Sequence, residues 1–295
     1  MEYIPAKSLL SRTKDTSWFG TEYTMNIYKG CSHGCIYCDS RSDCYHVEDF
    51  DRVRAKKDAL VILRNDLQRK VKTAVIGMGA MSDPYNPFER DLELTRHALE
   101  LIDAYGFGVG IATKSPLVTR DTDILRNITE HSPVLVKMTI TTADDALASR
   151  IEPHAPPPSE RLNALRKLSD AGIFTGVLLM PVLPFILDSD ENVLTVVRRA
   201  KECGARFVYP IFGVTLRANQ RDHFFHCLNE RFAGQGLREQ YIARFGDRYA
   251  CQSPRSKALW NVFKQECDCL GLLYRMNDII LAYKRGYEPS QLSFF

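Results

Sequence analysis

Long apolar runs are missing from this 295-residue sequence: no 18 consecutive residues are apolar, which excludes a conventional membrane-spanning helix. The opening "MEYIPAKSLLSRTKDTSWFG" has no apolar core of the kind that marks a secretory leader, so a cytoplasmic protein without membrane contact is expected. No Gly- or Ser-rich linker, low-complexity tract or internal repeat interrupts the chain, which argues against tethered modules and solenoids. The nine cysteines are an odd number, so a complete disulfide framework is excluded; in a reducing compartment free thiols or metal ligands are favoured. Neither sign of charge dominates: the net charge is +3, which permits a nucleic-acid partner without requiring one. The balance is uneven, however. Residues 51–72 carry eight Lys/Arg against three Asp, and the pattern predicts one basic helix with a solvated face.

What is present is a regular alternation. Short apolar runs predict strands over 25–29, 73–78, 108–112, 134–139, 174–180 and 207–212. Between them, helical patterns cover 51–70, 91–105, 121–129, 158–171 and 192–203. Ser159 is the expected cap of the fourth helix, with Leu162, Leu165 and Leu168 on its buried stripe and Gly172 closing it; Gly204 closes the fifth. Six repeats of strand and helix require a parallel sheet with right-handed crossovers. The expected fold class is therefore α/β, a partial (β/α)6 barrel over 25–217 after an N-terminal segment, 1–24. A mostly helical C-terminal extension, 218–290, has helices over 220–232, 238–245 and 256–270 and a last apolar run in "NDIILAYKRG".

Such folds place their chemistry in loops after the carboxyl ends of strands, and "KGCSHGCIYC" follows the first. Cys31, Cys35 and Cys38 are spaced C-x3-C-x2-C. Structural zinc takes four ligands, and Cys44 or His46 can complete such a site. Three thiolates suit instead an iron–sulfur cluster with one iron left open to a small ligand. Gly30 and Gly34 allow a tight loop and Lys29 adds positive charge.

The cysteine loop, with "MSDPYNPFE", "TKSPLVTRDTDIL", "RIEPHAPPPSERLNALRKLSDAGI" and "PVLPFILD", resembles the radical S-adenosylmethionine (SAM) enzymes, in the subgroup related to spore photoproduct lyase, over roughly 25–212. The resemblance implies a [4Fe–4S] cluster on Cys31, Cys35 and Cys38, with S-adenosyl-L-methionine on the fourth iron. It implies Tyr37 near adenine, Ser82 and Asp83 at the methionine part, and Lys114 and Thr139 at carboxylate or ribose. The chemistry agrees, since a zwitterionic sulfonium ligand needs an ammonium acceptor, a cation for its carboxylate and hydroxyls for its ribose, although "SDPYNP" is equally a plain turn and a lysine after a strand is equally a solvated one. Reductive cleavage of the sulfonium would yield a 5′-deoxyadenosyl radical that takes hydrogen from a substrate. The implied reductant is a flavodoxin- or ferredoxin-like protein.

Two positions depart from the lyase pattern. Ala80 and Met81 stand where its hydrogen-donating cysteine lies, and Asp39 where a tyrosine follows the third cluster cysteine; Tyr85 or another cysteine would have to substitute. The substrate stays unassigned, with nucleic acid ahead of peptide or small molecule, and the catalytic residue that meets it is unknown. A repair lyase and a non-catalytic iron–sulfur or zinc sensor are the alternatives. His33 is expected to face solvent, and Tyr209 and Arg217 to face the barrel mouth. Trp260, Phe263 and Cys267 share one buried stripe, with Cys269 facing away; Cys203 ends a helix, Cys227 lies in an aromatic one, and Cys251 has no ligand role. The final "QLSFF" resembles sliding-clamp-binding peptides, with Gln291, Leu292, Phe294 and Phe295 as anchors, though docking of the tail on its own barrel is the plainer expectation.

Overall fold

A computed structural model describes residues 1–70 and 73–287; the 291–295 tail, with its clamp-binding reading, lies outside them. Six parallel strands form the centre: β1 (Tyr23–Met25), β2 (Val75–Met78), β3 (Gly108–Thr113), β4 (Val134–Thr139), β5 (Thr175–Leu179) and β6 (Phe207–Pro210). They lie side by side in chain order, and Leu10–Arg12 adds an antiparallel edge beside β1. Helices α1 (Ala59–Gln68), α2 (Leu94–Ala104), α3 (Thr122–Thr129), α4 (Pro158–Asp170) and α5 (Asp190–Glu202) make the crossovers. The expected α/β partial barrel is what folds.

Strands covered on both faces should be apolar throughout, and "VLVKM" and "TGVLL" in β4 and β5 are buried at every residue. On the outer face Leu99, Ile102, Leu125, Ile128, Leu165, Leu168, Val196 and Val197 of α2–α5 are fully buried. The concave face holds a separate core of Val75, Leu135, Leu178 and Phe207, packed on Phe19, Ile279 and Tyr283. Ile279 and Tyr283 come from α9 (Met276–Lys284), the last of the helices α6 (Ala218–Arg231), α7 (Leu237–Phe245), α8 (Ser256–Leu270) and α9 that make up the extension. The open barrel is thus stoppered at one end by the Phe19 segment and α9. Tyr283 donates to the Phe19 carbonyl at 2.6 Å. Among the described residues no helix is long and apolar enough to cross a membrane.

Several sequence expectations need correction. The strand expected over 25–29 breaks after Met25. Tyr28–Lys29 leaves the main sheet to pair antiparallel with Arg54–Lys56, which pairs parallel with Glu2–Ile4. Arg54 and Lys56 are therefore on a strand, and Asp58 takes a left-handed conformation (φ 53°) before α1 starts; the basic residues of 51–72 do not share one helix. Glu93 (φ 49°) similarly splits the helix expected over 91–105. Pro157 precedes α4 as its cap, and the Ser159 hydroxyl bonds instead to Asp145 at 2.6 Å. On α8, Phe263 and Cys267 are fully buried as expected, but Trp260 is 41% exposed. The helix turns it just off the stripe, over Phe263 and Tyr274.

Candidate active site

The cysteine loop is held from both sides by backbone bonds. The Cys31 N–H donates to Phe50 O (2.8 Å), Ile36 to Ile151 O (3.0 Å) and His154 to His33 O (3.1 Å). Gly30 has φ 83°, and a Cβ there would lie 2.4 Å from the Arg52 carbonyl oxygen; at Gly34 (φ 65°) it would lie 2.8 Å from the His154 ring. Only glycine allows the chain this close to its neighbours. The loop so formed turns three free thiols, Cys31, Cys35 and Cys38, into one cavity of about 140 Å3. Burial pushes Cys31 up to about 11 and raises Cys35 and Cys38 as well. No three His, Cys, Asp or Glu side chains among the described residues converge as ligands of one ion; the thiols surround the cavity and do not meet at a point.

Tyr37, Ser82, Asp83, Lys114 and Thr139 line that same cavity, so the residues chosen for cluster and cofactor come together. Their partners refine the picture. The Ser82 hydroxyl donates to the Tyr28 carbonyl at 3.0 Å. The Asp83 carboxylate accepts from the Thr113 hydroxyl (2.6 Å), the Tyr85 N–H (2.9 Å) and the Lys114 N–H (2.8 Å). It ties the loop after β2 to the end of β3, the behaviour of an Asx turn with long-range partners. His33 Nδ1 lies 3.6 Å from it. His33 is 4% exposed, contrary to the solvent-facing expectation, because the Ile36 and His154 backbone bonds fold the loop inward. Burial, only partly opposed by Asp83, holds its pKa below the ordinary value.

Two residues escaped the sequence reading of roles. Asp144 caps the short helix Asp145–Ile151 by accepting from Ala146 (2.8 Å) and Leu147 (3.0 Å), and that helix ends at Glu152. Glu152 and Arg161 are each 1% exposed, with Arg161 Nη1 2.6 Å from Glu152 Oε2. Arg161 also donates to Pro156 O (2.6 Å) and Thr139 O (3.0 Å). The Tyr37 hydroxyl bonds to Glu152, and Lys114 Nζ lies 3.9 Å from the same carboxylate and 5.6 Å from the Tyr37 ring centroid. Burial opposes charge on Glu152, yet Arg161, then Lys114 and Tyr37, keep its pKa below the usual range. Burial likewise opposes charge on Lys114, but Cys35 and Glu152 keep it protonated. Both residues stand within "RIEPHAPPPSER", and the proline run between them is the one local sign that the chain doubles back there.

The cavity opens into a larger one of about 640 Å3, walled by Trp18, Leu178, Met180, Ile211, Phe212 and Thr215 among others. Ala80 lies in both walls. Arg217 walls neither cavity, contrary to expectation: its Nε and Nη2 sit 3.1 Å from the carboxylate of Asp39, a wall residue of the larger one, which also accepts from Tyr45 at 2.7 Å. Tyr209 points instead into the stopper, edge-on to Trp18 and Phe19. Cys44 is exposed, 3.5 Å from Arg217 Nη1, and outside the thiol cavity. Tyr85 is buried beside Asp121, away from both cavities.

Residues 25–197 match the family model described as the radical SAM superfamily. The chain belongs to that superfamily. It is also similar to curated relatives described as uncharacterized proteins. One from Mycobacterium tuberculosis (strain H37Rv) is 30% identical over 228 residues, 75% of this chain and 67% of the relative. One from Methanocaldococcus jannaschii is 32% identical over 189 residues, 63% and 68% respectively. Among solved structures, spore photoproduct lyase complexed with dinucleoside spore photoproduct superposes with TM-score 0.66 at 15% identity, covering 92% of this chain and 81% of that one. The radical SAM methyltransferase TsrM from Kitasatospora setae gives 0.55 at 12% identity, covering 84% and 51%. At these identities the superpositions speak for the fold.

Proposed function

We propose that this protein is a radical SAM enzyme whose [4Fe–4S] cluster is held by Cys31, Cys35 and Cys38 and whose substrate, nucleic acid ahead of peptide or small molecule, enters the adjoining cavity. The observation that carries the reading is one cavity lined by three free thiols and by Tyr37, Ser82, Asp83, Lys114 and Thr139, continuous with a larger cavity open to solvent. The donor set fits the cofactors: three thiols around a void would suit a cluster with three cysteine-held irons and one left for a small ligand, and the adjoining groups are those a zwitterionic nucleotide needs. When bound, cluster and S-adenosyl-L-methionine together supply a 5′-deoxyadenosyl radical that abstracts hydrogen.

The chain's own residues do the rest. Lys114, kept protonated by Cys35 and Glu152, presents a cation to the methionine carboxylate, and Thr139 offers a hydroxyl to the ribose. Ser82 keeps its lone pairs for the ammonium while its proton goes to Tyr28 O. Asp83 acts mainly by fixing the β2 and β3 loops around that ligand. The Tyr37 ring, pinned through its hydroxyl to Glu152, gives adenine a flat wall. Photoproduct repair itself is disfavoured, because Ala80 in the cavity wall has no thiol hydrogen to return to a product radical. Electrons would come from a flavodoxin- or ferredoxin-like partner.

The test is anaerobic reconstitution with iron and sulfide, followed by dithionite and S-adenosyl-L-methionine, with 5′-deoxyadenosine measured over time and Cys35→Ala as control. Cluster-dependent 5′-deoxyadenosine supports the reading. A fully loaded cluster that yields none under several reductants overturns it in favour of a sensor.

A further inference from the structure

The chain has two tryptophans, and each stands in a different cavity at the barrel mouth. Trp18 lines the larger cavity described above. It is set edge-on to Phe19 (5.1 Å between centroids) and Tyr209 (5.4 Å), yet stays 42% exposed. Trp260 lines a neighbouring cavity of about 450 Å3 with Phe212, Gln252, Ser256, Lys257 and Asn261. It rests on Phe263 (5.8 Å) and Tyr274 (5.9 Å) and is 41% exposed. Phe212 and Gln252 belong to both linings, so the cavities adjoin. Both indoles therefore rest against neighbouring rings while about two-fifths of each stays exposed, as a stacking platform requires.

The polar groups around them select what stacks. The second cavity contributes a lysine, two side-chain amides and a hydroxyl. Of the described residues lining either cavity, Asp39 is the one carboxylate, and Arg217 and Tyr45 already engage it. A site of flat aromatics, amides and an ammonium that has no ion-pair partner and no acidic wall among the described residues complements a base and its phosphate.

We propose that the two cavities are consecutive nucleotide subsites on a single strand. The reacting nucleotide enters the larger cavity beside Trp18, its neighbour stacks on Trp260, and Lys257 meets the phosphate between or beside them. This rests on the reading that the larger cavity receives the substrate, and it adds a recognition site remote from the cysteine loop.

Having one tryptophan per cavity makes the test direct. In the reconstituted holoprotein, Trp18→Phe leaves Trp260 as sole indole and Trp260→Phe leaves Trp18. Each is titrated with short single-stranded oligothymidylates and with oligouridylates of the same length, following indole fluorescence. Both indoles should be quenched along one binding curve. Trp260→Ala should weaken binding roughly 5- to 150-fold, with Trp260→Phe near wild type. Lys257→Ala should lower the slope of log affinity against log salt by about one. Quenching of Trp18 with Trp260 silent would overturn the second subsite. Silence of both, or quenching by a control peptide alone, would overturn the nucleic-acid assignment. Cluster-dependent 5′-deoxyadenosine, measured on the same preparations, tells whether the radical reading survives either result.

Discussion

Lys137 offers a sharp test of the electrostatics inside the barrel. It lies on the concave face of β4, two residues before Thr139, and is 4% exposed, with its ammonium 4.6 Å from the Phe19 ring centroid. Burial alone pushes its pKa down to about 7. Against an ordinary lysine near 10.4, and at 1.36 kcal/mol per unit, the penalty for keeping it charged is about 4–5 kcal/mol. Attraction to the Phe19 ring returns about 1–2 kcal/mol, so desolvation wins by about 3 kcal/mol. The folded pKa is depressed, so between roughly pH 7 and 10.4 the unfolded chain binds a proton that the folded chain does not. Stability therefore rises with pH across that window, and the penalty is complete below it. Lys137→Met keeps the length of the side chain and removes the proton. Urea unfolding of the apoprotein should show the variant more stable than wild type by about 3 kcal/mol at pH 6.5, with the gap closing by pH 10.5. Parallel pH profiles for the two proteins, or a less stable variant at pH 6.5, would refute the reasoning.

Other substitutions probe the site. Cys35→Ala should abolish cluster assembly measured as iron and sulfide content, whereas Cys267→Ala, in the packed face of α8, should leave iron content unchanged and cost about 1–2 kcal/mol in urea; equal iron loss in both would defeat the ligand assignment. Gly30→Ala forces a Cβ to within 2.4 Å of a backbone oxygen at φ 83°, so it should cost at least about 2 kcal/mol and lower iron content. Glu152→Leu leaves the buried Arg161 without its carboxylate and should cost about 3–5 kcal/mol, most of it recovered in the Glu152→Leu/Arg161→Met double variant. Strictly additive losses would show that the two side chains do not act as a pair.

The barrel was legible in the sequence because each strand is a short apolar run between helices with clear stops, as at Gly172 and Gly204. The gathering of Cys31, Cys35 and Cys38 around one cavity was legible because their close spacing constrains it. Boundaries failed where single residues take left-handed conformations that propensity does not forecast, at Asp58 and Glu93. Roles failed where tertiary partners decide them. Asp83 looks like a free ligand group until its bonds to Thr113, Tyr85 and Lys114 are known, and His33 looks exposed until the loop is folded against 151–154. Glu152 and Arg161 sat within a quoted motif, but nothing local reveals that they meet each other. Trp260 illustrates the smallest error: helical periodicity put it on the buried stripe, and one side chain's width put it outside.

The stopper has a consequence for biosynthesis. Phe19 and Tyr283, which close the concave core together, are 264 residues apart. At ribosomal speeds of 5–20 residues per second, roughly 13–50 s separate their syntheses. Only over the last 76 residues of that interval, from Phe207 to Tyr283 and about 4–15 s, do Val75, Leu135, Leu178 and Phe207 line an apolar trough still without α9, on a chain whose outer helices have already emerged. The nascent protein is therefore a half-finished vessel until α9 arrives, with an apolar trough that favours aggregation. Trimming the chain before Ile279 should yield aggregates even though every cysteine of the loop is in place.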